Sequence, residues 1–180
     1  MQGQAELVLI RRATREDAEG ILACLREAFE EFRSLYTHDG FLDTVLTSAT
    51  LKKRLASMSV FVAVNAENKI VGTIACSMLN AEEGHLRGMA VLLSIRGSGI
   101  AAQLLRHAES DLRSRNCGRI TLDTTEPLQR AMRFYERCGY RRSGKVSDFF
   151  GMPLIEYEKI LSEETLRGLD TPPKIEEAKS

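Results

Sequence analysis

Met89-Ala90-Val91-Leu92-Leu93-Ser94-Ile95-Arg96-Gly97-Ser98-Gly99-Ile100-Ala101-Ala102 holds the key to this chain. It opens as an apolar strand, passes through an Arg-Gly-Ser-Gly turn and ends as the start of an amphipathic helix. The first N–H groups of a helix have no intrahelical acceptor, and the helix dipole favours an anion at that end. Gly97 and Gly99 allow the backbone to approach a phosphate closely, and Arg96 sets a positive charge beside them. The segment therefore reads as a grip for a diphosphate.

The flanking sequence supplies the elements around that turn. Upstream, Leu7 to Ile10 is a short strand, and Thr14-Arg15-Glu16-Asp17 has the pattern of a capping box. Behind it Ala18, Ile21, Leu22, Leu25, Ala28, Phe29 and Phe32 repeat at helical spacing. Phe41 to Leu55 predicts a second, weaker helix. Val60 to Val64 and Ile70 to Ala75 are strands joined by a hairpin-type connection at Asn65-Ala66-Glu67-Asn68, and His85 to Val91 is a third. Ile100, Ala101, Leu104, Leu105, Ala108 and Leu112 mark the apolar side of the helix that follows the turn. Arg119 to Thr124 is another strand, Pro127 permits a new helix start, and Gly139 ends that helix. Tyr140 to Val146 and Leu154 to Ile160 predict a closing pair of strands. The order β-α-α-β-β-β-α-β-α-β-β implies an α/β protein of the α+β type, with a mixed sheet and helices on its faces. Residues 1–161 are expected to form a single domain, and the polar 162–180 segment a mobile tail.

Composition narrows the function classes. The 180 residues carry a formal net charge of zero, so the molecule as a whole has no bias toward nucleic acid or anionic membrane. Arginines are nonetheless dense from Arg87 to Arg142, which fits either a solvated face or a field for a small polyanion. The four cysteines, Cys24, Cys76, Cys117 and Cys138, show no metal-binding spacing, so no metal is expected. No apolar run approaches the roughly 20 residues of a membrane span. The start, Met1-Gln2-Gly3-Gln4, lacks the features of a secretory signal, so a reduced, cytoplasmic protein is expected.

Two cofactors fit the glycine turn. Gly97-x-Gly99-x-x-Ala102, with Asp123 about 20 residues on at a strand end, satisfies the dinucleotide-binding fingerprint. Against it stand the position of the turn midway along the chain and the extra residues Leu92 to Arg96 between strand and glycine. Only one further β-α unit follows, too few for a doubly wound sheet. The other reading rests on two segments in order. Arg96-x-x-Gly99-x-Ala101 resembles the Q/R-x-x-G-x-G/A signature of the GNAT superfamily of N-acetyltransferases. Ala131-x-x-Phe134-Tyr135-Glu136-x-x-Gly139-Tyr140 is similar to that superfamily's A-x-x-F-Y-E-x-x-G-F segment. The chain departs from the pattern at Leu93, where proline is common, and at Leu128, where asparagine is common.

The resemblance implies acetyl-CoA as cosubstrate and an amine as acceptor, with direct transfer in a ternary complex. It implies that Met89, Ala90 and Val91 hold the pantetheine arm as an added strand would, beside a bulge that opens a cleft. It places the diphosphate on the main chain of Arg96, Gly97, Ser98, Gly99, Ile100, Ala101 and Ala102. Tyr135 is the implied proton donor to the leaving thiolate, and Glu83 and His85 are the implied candidates for the base that neutralises the amine. Positioning of the reactants alone also lowers a barrier, by roughly 7–11 kcal/mol. For the acceptor the resemblance points to Ser34 to Gly40, with Tyr36, His38 and Asp39, and to Ser147 to Met152, with Asp148, Phe149 and Phe150. A small-molecule or peptide amine fits those residue types, and exposed strand ends are compatible with a homodimer. Two alternatives stay open at this level: a non-catalytic CoA-binding module, and a dinucleotide-binding oxidoreductase.

Overall fold

The computed structural model describes residues 8–161; Met1 to Gln4, Leu7 and the 162–180 tail lie outside them. Strands β1 (Leu9–Arg12), β2 (Ser59–Val64), β3 (Ile70–Met78), β4 (Glu83–Val91), β5 (Arg119–Thr125), β6 (Arg141–Phe149) and β7 (Met152–Ile160) form one mixed sheet. Their order across it is β1-β2-β3-β4-β5-β7-β6. All neighbours are antiparallel except β4 and β5, which are joined by the helical crossover α4 (Ile100–Arg113). The remaining helices are α1 (Ala18–Phe29), α2 (His38–Val45), α3 (Ser48–Ser57) and α5 (Gln129–Arg137).

The apolar spacing read from the sequence accounts for most of this packing. In α4, Ile100, Leu104, Leu105, Ala108 and Leu112 are all buried, and each fully buried large aliphatic side chain contributes about 1.5–3 kcal/mol. Strand β2 is buried throughout, as an interior strand covered on both faces must be. Thr14 N–H donates to Asp17 Oδ2 at 2.7 Å, and Arg11 forks onto the same carboxylate at 2.7 and 2.8 Å, fixing the entry to α1. The β6–β7 hairpin turns through Phe150 and Gly151, both at positive φ (51° and 84°), the pairing that suits the twist of its strands.

One expected element divides. The helix predicted over Phe41 to Leu55 is two helices, α2 and α3. Leu46 breaks it at φ 63°, and Thr47 caps α3, its side chain accepting from Thr50 N–H. The last strands run longer than their apolar patterns because the hairpin carries the polar residues Ser147 and Asp148 into the ladder. Among the described residues, no helix is long and apolar enough to cross a membrane.

Candidate active site

The site begins where the parallel pair comes apart. Strands β4 and β5 pair from Glu83↔Arg119 to Leu86↔Leu122 and no further. Across the other edge of β4, Thr73 pairs with Ala90 and Ala75 with Arg87, so Gly88 and Met89 together oppose Ile74. That is a bulge, and Gly88 takes φ 63° within it. The β5-facing edge of Arg87 to Val91 is left without a ladder partner in the middle of a sheet. A cleft of about 760 Å³ opens there, lined by Met89, Ala90 and Val91 on one side and by Asp123, Thr124 and Thr125 on the other.

At one end of the cleft lies the glycine turn. Gly97 and Gly99 sit at φ 87° and 85°, and a Cβ at either would meet nothing within 4 Å. Among the described residues, the N–H groups of Gly97, Gly99, Ile100, Ala101 and Ala102 have no acceptor. Five bare donors beside a cleft at a helix start are what an anion would fill. Ser98 is the exception in this run. Its N–H and its hydroxyl both donate to Ile95 carbonyl, and it stays out of the cleft wall. The Ile100 side chain is buried in the core.

Arg96 differs from its expected role as a free charge. Its guanidinium pairs with Glu31 and donates to Ala28 carbonyl at 3.1 Å and Val91 carbonyl at 3.3 Å. It ties the turn to α1, and its charge is already matched. Free cations in the cleft come instead from Arg130 and Arg137, which line it and whose side chains make no hydrogen bond or ion pair among the described residues. Their side chains belong to α5, which the second motif had marked only for Tyr135.

Tyr135 reaches the cleft from α5 and is buried, with its hydroxyl donating to the Met89 sulfur on β4 at 3.3 Å. A thioether is a weak acceptor, so this hydroxyl is held across the cleft by a bond that is easily exchanged. Burial pushes its pKa up, so the phenol keeps its proton. Cys138 lines the same region, and burial raises its thiol pKa as well. A protonated, desolvated thiol is a poor nucleophile.

The two candidate bases separate. Glu83 stays outside the cleft wall and is paired with Arg119 at 2.8 Å. His85 lines the cleft. Its Nδ1 lies 2.9 Å from Thr121 Oγ1, whose hydroxyl donates to Gly84 carbonyl at 3.3 Å. The Thr121 proton being used there, its lone pair takes the Nδ1 proton, and Nε2 is left as the free acceptor. Nε2 faces Asp123 Oδ2 at 3.6 Å. Burial lowers the His85 pKa, partly offset by Asp123, and burial raises that of Asp123, offset by His85. The imidazole is thus neutral near pH 7 with a carboxylate placed to steady any proton it gains. The rest of the acceptor half is mixed. Tyr36 and Phe149 line it, and Tyr36 Oη lies 2.6 Å from Thr125 Oγ1. His38, Asp39, Asp148 and Phe150 do not reach it; Asp148 instead accepts from Gly151 N–H within the hairpin turn. Asp43, Arg54 and Arg87 join the wall without having been singled out from the sequence. Among the described residues, no cluster of three or more His, Cys, Asp or Glu could hold a metal ion.

A family model for the GNAT acetyltransferase family matches residues 21–140, which span both the glycine turn and Tyr135. The chain belongs to the GNAT acetyltransferase family. Solved structures agree with this at the level of fold. An acetyltransferase of the GNAT family from Staphylococcus aureus Mu50 superposes with a TM-score of 0.72 at 22% identity, over 87% of this chain and 100% of that one. The PaiA N-acetyltransferase from Thermoplasma acidophilum, in complex with coenzyme A, gives 0.71 at 18% identity, over 86% and 99%. Ard1 from Thermoplasma volcanium gives 0.69 at 20% identity, over 86% and 98%. The GNAT assignment removes the dinucleotide reading of the turn, and Asp123 belongs with His85 rather than with a ribose.

Proposed function

We propose that this GNAT chain is an N-acetyltransferase that moves an acetyl group from acetyl-CoA to a primary amine by direct transfer within a ternary complex. The observation that carries this reading is the single cleft that joins the bare N–H groups of the glycine turn to His85. The main chain of Gly97 and of Gly99 to Ala102 would take the diphosphate, with Arg130 and Arg137 as nearby cations. The open edge of Met89 to Val91 suits the pantetheine arm as a pseudo-strand. That the Thermoplasma acidophilum relative was solved with coenzyme A supports the same cosubstrate here.

Two proton movements frame the chemistry. His85 Nε2 accepts a proton from the incoming ammonium, and Asp123 stabilises the resulting imidazolium. The neutral nitrogen forms its bond to the acetyl carbon, and the carbon–sulfur bond breaks. Tyr135 donates its hydroxyl proton to the departing sulfur, and the second proton that the nitrogen sheds on becoming an amide passes through solvent to restore the phenol. The high pKa of Cys138, the one cysteine that lines the cleft among the described residues, favours this direct route over an acyl-cysteine. The test is a panel of amines with acetyl-CoA, read by free thiol and by mass of the product. Amine-dependent thiol release is expected. Coenzyme A binding with no release across the panel would favour a non-catalytic binding module instead.

A further inference from the structure

The acceptor half of the cleft carries charges that neither acetyl transfer nor proton removal uses. Arg54 lies on α3, and its guanidinium rests on the bulge of β4, so close that a Cβ on Gly88 would collide with Nη1. Its side chain lines the cleft, is half-buried, and makes no hydrogen bond or ion pair among the described residues. Arg87, on the same face of β4 as His85, lines the same wall. Among the described residues its one ion pair is a long one, 3.9 Å to Asp43 Oδ2, with the two side chains 51% and 39% exposed. An arginine held against a strand bulge with no carboxylate in ion-pair contact offers an oriented planar fork to an anion.

We propose that Arg54 and Arg87 form a carboxylate-recognising subsite in the acceptor half, so that the acceptor is an amino acid or a similar amine that also carries a carboxylate. This rests on the acetyltransferase reading above. The other charges in the wall agree with it. Asp43 stands close to both arginines and Asp123 to Arg87, so the wall presents both signs, as a zwitterion requires. A dianionic group would meet repulsion from both acids, whereas a carboxylate needs only one fork. His85 precedes Arg87 by two residues on one strand face, about 6–7 Å along the strand, which suits the span between an amino group and a carboxylate held side by side. Burial and the neighbouring Arg87 lower the Arg54 pKa to about 10, which leaves it charged at neutral pH.

The test reads binding apart from turnover. Protein saturated with coenzyme A is titrated calorimetrically with N-acetyl amino acids carrying small, apolar and aromatic side chains, and with the matching N-acetyl amino amides. At least one acid is expected to bind at least 10-fold more tightly than its amide. Arg54→Met should weaken that acid at least 10-fold, Arg54→Lys should recover part of the loss, and Arg87→Gln should weaken it less. An unchanged coenzyme A Kd in each variant certifies that the fold is intact. Equal binding of acids and amides, binding of neither series, or a preference that survives Arg54→Met would overturn the subsite. A preference for acids with no thiol release from any free amino acid would leave the subsite standing and overturn the acceptor reading of the preceding section.

Discussion

The proposed mechanism gives His85 and Tyr135 opposite tasks, and their surroundings differ accordingly. His85 is held by Thr121 on one nitrogen and faces Asp123 with the other, so a gained proton is shared. Its pKa is lowered below the usual 6.5, chiefly by burial, so the imidazole is neutral and active at neutral pH. The kcat/KM for an amine should therefore fall on acidification only below about pH 6.5, on a limb additional to amine ionisation. Asp123→Asn removes an influence that raises the His85 pKa, so this limb should move to lower pH while kcat drops. A limb that stays in place would remove His85 from the base role. Tyr135 keeps its proton because it is buried. Tyr135→Phe should lower kcat by about 10- to 1000-fold, within the range of general acid catalysis, and change the coenzyme A Kd little. Equal losses in both would mark Tyr135 as a wall residue.

The elements differ in how far their sequence announced them. The glycine turn was legible because backbone geometry decides it, and positive φ at Gly97 and Gly99 is a demand that only certain residues meet cheaply. Gly99→Ala should cost about 1–2 kcal/mol of backbone strain, read by denaturant unfolding, because space around the Cβ is open. The division of α2 from α3 was hidden because neither glycine nor proline marks it; the signal that exists is the Thr47-x-x-Thr50 cap. Arg54 was missed, and Asp123 was marked only as a ribose-binding acid, for a different reason. Each contact is set by sheet register or by the packing of a distant helix, so local spacing does not show that Asp123 faces His85 or that Arg54 rests on the bulge. Arg96 was read for its charge, but its pairing with Glu31 depends on where α1 ends. Another such network closes α4. Glu109 is 4% exposed and accepts from Tyr140 Oη at 2.9 Å, Lys159 Nζ at 2.9 Å and Arg113 Nη2 at 3.2 Å. Glu109→Ala would leave those donors without their shared carboxylate, at about 3 kcal/mol in chemical denaturation.

Across the whole molecule, the sheet serves as a frame that is deliberately incomplete. Five antiparallel neighbour pairs hold it, while the one parallel pair opens after Leu86 and Leu122. The open region is where the glycine turn, Tyr135, His85 and Arg54 line one cleft, so the proposed site lies away from the ladders that hold the sheet. The acid stability of the frame has an identifiable source near its first strand. Arg11 holds the Asp17 carboxyl down to about 2, against an ordinary 3.8. A depressed folded-state pKa gives stability that is present above the unfolded value and lost as pH falls through the folded one. About 1–2 kcal/mol should therefore disappear between pH 4 and 2, and Asp17→Asn should show a flatter stability profile over that window in urea melts.

The central claim is that the cleft between β4 and β5 holds coenzyme A by the main chain of the glycine turn. Calorimetric titration of coenzyme A into the wild-type protein and into Gly99→Val tests it most directly. One site per chain is predicted for the wild type, with binding weakened at least 10-fold in a Gly99→Val protein that still melts cooperatively. No heat of binding in the wild type, or equal affinity in the folded variant, would contradict it.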